Sequence, residues 1–114
     1  MGKTEEFLAF VYWLGGQSDL EAIDTTKRLL KQIIVFAGYR FGGQEYERAR
    51  ERLSDLARKA IQLADAIEPN RVPIDIRILA GCALSSDTPL KICRNLADSA
   101  RKHLGLKPAV ELAS

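Results

Sequence analysis

Two cysteines, Cys82 and Cys93, and a single histidine, His103, are too few for a disulfide framework or a multi-ligand zinc site. No His-x-x-x-His, Cys-x-x-Cys or Glu-x-x-His spacing occurs, and a lone imidazole cannot anchor a first-row metal. No apolar run approaches the roughly 20 residues a membrane span needs. The first ten residues, MGKTEEFLAF, place acids where a secretory signal needs bases, so a cytoplasmic location is expected. Asn occurs twice, Gln four times and Met once, while Arg outnumbers Lys ten to seven, a balance that fits a thermophilic source. Strand signals are nearly absent, and no aromatic residue follows Tyr46.

What is present reads as one helical domain. The 114 residues fit one domain and not two. At 46% apolar with a net charge of +2, the chain is too hydrophobic and too nearly neutral to stay disordered. Thr4 with Glu5 and Glu6 opens a first helix that Gly15-Gly16 closes. Ser18-Asp19-Leu20-Glu21 has the form of a capping box for a second helix running to about Arg40, with Gly42-Gly43 beyond it. A third helix, roughly 44–67, carries Tyr46, Ala49, Leu53, Leu56, Ala60, Leu63 and Ile67 at alternating spacings of three and four. That heptad seam predicts lengthwise packing, with Leu53 and Leu56 both inside. Pro73 opens a fourth helix to about Leu84, and Thr88-Pro89 opens a fifth that ends near Gly105. The expected fold is all-α: a five-helix bundle with a long antiparallel hairpin (about 19–40 and 44–67), a short N-terminal helix and a C-terminal helical hairpin. A hairpin turning between Asp87 and Thr88 would bring Cys82 and Cys93 to one height.

The second half also carries near-repeats. Arg77-Ile-Leu-Ala-Gly-Cys-Ala83 aligns with Arg94-Asn-Leu-Ala-Asp-Ser-Ala100, and each unit is preceded by a proline, Pro73 and Pro89. With its Pro-x-x-x-Arg, Leu-Ala and Asp-x-Pro elements, the stretch from Val72 to Leu104 resembles a small uncharacterised all-helical family of archaea, built like short helical-repeat modules. The resemblance covers about a third of the chain and implies helical packing; it carries no activity with it.

Cys93 and His103 stand ten residues apart on one helix, about 15 Å along its axis, which is far outside the reach of a nucleophile–base pair. The acids Glu47, Glu51 and Asp55 are interleaved with Arg48, Arg52, Arg58 and Lys59, the pattern of a solvated helix face. No catalytic residue, metal ligand or cofactor is therefore expected. Residues 88–114 hold a net +3, and Thr88, Lys91, Arg94, Arg101 and Lys102 could contact nucleic acid in a faint helix-turn-helix arrangement. Leu84 stands where the tight-turn glycine belongs, and a pI of 8.6 is below the usual footprint, so this reading ranks second. The aromatics Phe7, Phe10, Trp13, Phe36, Tyr39, Phe41 and Tyr46 form the larger signal. The first helix is too short to cover those at the far end of the hairpin, which predicts that a second chain covers them across a dimer interface. The sequence thus points to a non-enzymatic interaction or scaffold protein acting as a homo-oligomer.

Overall fold

The computed structural model describes residues 3–39, 43–82 and 90–107. They form five helices, α1 (Lys3–Gly15), α2 (Leu20–Ala37), α3 (Gln44–Ile67), α4 (Ile74–Cys82) and α5 (Leu90–His103), with no strand among the described residues. The helices start and stop where the local chemistry requires. α1 ends at the first of two glycines, and the Trp13 carbonyl accepts bonds from Gly16 N and from Gln17 Nε2, which satisfies a terminal acceptor. α2 is capped by Asp19, whose carboxylate accepts from Ala22 N at 2.9 Å. The cap thus sits one residue beyond the expected Ser18, because the acid reaches the third helical amide while carrying a charge suited to the helix dipole. α2 stops at Gly38, short of Arg40. α5 closes with Gly105 at φ 76°, where Leu106 N donates to Arg101 O and Gly105 N to Lys102 O, the two bonds of a Schellman end.

α2 and α3 are antiparallel. Phe36, near the end of α2, lies against Tyr46, near the start of α3, with ring centroids 4.9 Å apart. At the other end, Glu21 of α2 pairs with Lys59 of α3 at 3.1 Å. The buried stripe of α3 differs from the expected seam: it runs Tyr46, Ala49, Leu53, Ala57, Ala60 and Ala64, while Leu56 and Leu63 are only half-buried and Ile67 is exposed. A strict heptad holds one face only if the helices supercoil. A straight helix of 3.6 residues per turn drifts off it by about 20° per heptad, and the burial follows the straight helix.

The C-terminal helices do not close on each other. α4 lies against α3 and α1, and α5 against α2 and α1, so the long hairpin is bracketed on two sides. The physical reason is the face each helix offers. α5 buries Cys93, Leu96, Ala97 and Ala100, a narrow small-residue stripe that fits closely into the α1–α2 groove. α4 buries Ile76 and Ala80 and is finished by α3: Ser54 Oγ donates to Ala80 O at 2.8 Å, and Arg58 reaches the Gly81 carbonyl. These α3 side chains supply donors at the C-terminal end of α4. Ser54→Ala should cost about 1–2 kcal/mol in urea unfolding, since it removes a buried hydrogen bond between α3 and α4. An unchanged midpoint would mean that water satisfies Ala80 instead. The turn at 83–89 and the Cys82 side chain lie outside the described residues, and with them the expected approach of Cys82 to Cys93. Cys93 itself is a buried free thiol, and burial pushes its pKa up.

Candidate functional site

The aromatic residues chosen as a dimer interface are mostly internal to one chain. Phe7, Phe10, Phe36 and Tyr46 are buried in the same core as Val11, Leu14, Leu29 and Ile33. The expectation that a second chain must cover them is corrected. α5 packed along α2 completes the cover, and Phe36 and Tyr46 shield each other. Trp13 and Tyr39 are half-buried against that core, and Phe41 lies outside the described residues. Phe7, Phe10, Val11 and Leu14 form the inward stripe of α1, and Tyr12 points the other way, 70% exposed.

Tyr12 is where the surface becomes distinctive. Its ring meets the His103 imidazole, centroids 5.4 Å apart and tilted by 54°. α1 supplies the tyrosine, and the last turn of α5 supplies the histidine. Two recesses share this aromatic ridge. The first, about 430 Å³, has an apolar floor of Val11, Ile23, Leu30 and Leu104 and carries Lys27. The second, wider and shallower at about 630 Å³, includes Trp13 and Arg71, whose guanidinium sits 5.2 Å from the centre of the Trp13 ring. Both volumes fall in the roughly 300–1,000 Å³ range of ligand-sized clefts. Among the described residues, neither recess is lined by a carboxylate. Asp19, two residues past Gln17, is turned into the α2 cap, and Glu5 lies seven residues before Tyr12, about 10 Å away along α1.

The cations predicted on the last helix extend from this ridge. Lys91, Arg94 and Lys102 are exposed and make no ion pair among the described residues, while Arg101 is partly buried and held by Asp98 at 2.9 Å. Thr88 lies outside the described residues. Because α5 runs antiparallel to α2, with His103 and Leu104 beside Ile23, Thr26 and Lys27, the exposed Lys27 and Lys31 of α2 join the same side of the molecule. α2 and α5 together carry a net +4, whereas α3 and α4 together are neutral. The helix-turn-helix arrangement is not what positions these cations. A recognition helix needs its partner helix packed against it, and α4 sits on α3 instead.

Sequence reading found the α5 cations but missed Tyr12, Arg71 and the contact that gives His103 a partner. The available signal was the helical wheel of α1, on which residues 7, 10, 11 and 14 make one stripe and leave 12 opposite. Cys93 and His103 stay apart, the thiol in the core and the imidazole on the ridge. Among the described residues, no three His, Cys, Asp or Glu side chains gather as a metal site, and no helix is long and apolar enough to cross a membrane. Comparison with protein-family models, with curated proteins and with solved structures finds no match for this chain.

Proposed function

We propose that this protein is a non-enzymatic interaction protein that works as a homodimer, joined through the outer face of α4. The observation that carries this reading is the exposure of Ile74 and Ile78, at 74% and 58%, one helical turn apart. α4 is apolar on both sides, and among the described residues the buried side is the one bearing Ile76 and Ala80. A helix of that composition is stable in water when both faces are covered. Gly81 continues the outer stripe, with open space where a side chain would stand, so a facing helix can come close to the backbone there.

Charge selects a second copy as the occupant. A two-fold interface brings each face against itself, so a strongly charged face repels its own image. The five acids and five bases of α3 cancel, as do Asp75 and Arg77 of α4, and this side of the molecule can meet its copy without net repulsion. The +4 of α2 and α5 argues against pairing there.

The test is light scattering coupled to gel filtration at low micromolar protein. Wild type should run at twice 12.7 kDa and Ile78→Lys at 12.7 kDa, with helical circular dichroism unchanged. A wild-type mass of 12.7 kDa that does not rise with concentration overturns the dimer. An Ile78→Lys protein that stays dimeric overturns the choice of face.

A further inference from the structure

We propose that the Tyr12–His103 end of the bundle binds single-stranded nucleic acid, with bases stacked on the aromatic ridge and the phosphate backbone following the cations of α2 and α5. This surface is separate from the outer face of α4, and the proposal stands whether or not the chain dimerises there.

A tyrosine ring left 70% exposed, tilted against a second ring, with a tryptophan and a guanidinium close by, presents several π-faces to solvent in one small area. Exposed rings of this kind serve as stacking platforms, because every base has a π-face and can take the place of water over the ring. The two recesses on either side of the ridge leave room for rings, and each holds one cation, Lys27 in one and Arg71 in the other. A planar ring joined to a negative group is the chemistry that satisfies both features at once. An acidic peptide would meet the cations but leave the rings unused.

The reach of the positive charge distinguishes a strand from a free nucleotide. Beyond Lys27 the exposed cations continue as Lys31 on α2 and as Lys102, Arg94 and Lys91 on α5, and none of them is held in an ion pair among the described residues. A single nucleotide has no use for charges two and three turns away from the recesses. A strand uses them all, one phosphate at a time. Paired bases fit poorly, because the ridge can stack only on a base whose face is open, and in a duplex those faces are covered except at the ends. Asp24 and Asp98 interrupt the cations, which sets the number of phosphates engaged nearer three or four than six.

Fluorescence anisotropy with a short labelled oligothymidylate, titrated across a salt series, tests this on the full chain. Binding should weaken with salt at a log–log slope of about −2 to −3, because each phosphate neutralised on a single strand contributes roughly −0.7. Tyr12→Ala should weaken binding about tenfold or more, since one base–aromatic stack is worth about 1–3 kcal/mol. Tyr12→Phe, which keeps the ring, should bind as wild type does. Lys27→Ala should flatten the salt slope by roughly one phosphate's share. The Tyr12 ring is mostly in solvent, so these variants should keep wild-type circular dichroism. Four results overturn the proposal: no binding at the lowest salt, equal affinity for a duplex of the same length, displacement by thymidine monophosphate at the strand's own affinity, or a Tyr12→Ala protein that binds like wild type.

Discussion

Leu53→Asp should destabilise the fold by about 4–5 kcal/mol or more, which is a large part of the roughly 5–15 kcal/mol that holds a domain of this size together. Leu53 is 3% exposed and sits on the α3 stripe that faces α2. The substitution removes the buried methyl groups of a leucine and places a carboxylate on the stripe between Ala49 and Ala57, whose side chains offer neither a donor nor a cation. The carboxylate must then either lose its hydration or draw water into the core. A lowering of the thermal midpoint by about 16–20 °C is expected, at roughly 4 °C per kcal/mol near this length. Leu56→Asp is the informative comparison. The heptad places Leu56 on the same seam, whereas the structure leaves it half-buried at the margin, so its aspartate can turn toward water and the loss should be a fraction of that at Leu53. Arg50→Ala, whose pair with Glu47 lies in solvent, should leave the midpoint unchanged. Equal melts for the Leu53→Asp and Leu56→Asp proteins would restore the heptad face and refute the straight-helix stripe.

That contrast shows which parts of the fold can be read from sequence. Helix ends are chemical events of one or two residues, so glycine pairs, Asp19, Pro73 and Gly105 mark them with errors of only a residue or two. Which face turns inward is an average over many residues. Spacings of three and four serve 3.5 and 3.6 residues per turn equally well over the first turns, and the two diverge only past Leu53. Which helix packs on which is less legible still. α4 and α5 are adjacent in sequence and share a motif, but their buried faces fit different sides of the hairpin. The candidate site inherits this difficulty. Tyr12 and His103 are ninety-one positions apart, and nothing in either neighbourhood points to the other until α5 is laid antiparallel on α2 beside α1.

Phe36→Ala is the second large effect, and it bears directly on how one chain hides its own aromatics. Phe36 is 1% exposed, one of the largest side chains fully enclosed in the protein. Its truncation should cost about 3–5 kcal/mol from lost burial and the cavity left behind. It stands near the end of α2 and meets Tyr46 across the turn into α3, with ring centroids 4.9 Å apart at 45°, a tilted arrangement that favours the edge of one ring over the face of the other. Part of the loss should therefore be specific to the pair. A double-mutant cycle of Phe36→Leu with Tyr46→Leu, read by urea unfolding, should give a coupling of about 0.5–1.5 kcal/mol, with both single variants still helical. The pair closes the far end of the long hairpin, the region that the sequence assigned to a second chain. If that assignment were right, the penalty for Phe36→Ala would shrink as protein concentration fell and the dimer came apart, because stability drawn from association follows mass action. With the ring enclosed by its own chain, the unfolding midpoint of the variant relative to wild type should be the same at every concentration, and a gap that depends on concentration would return Phe36 to an interface.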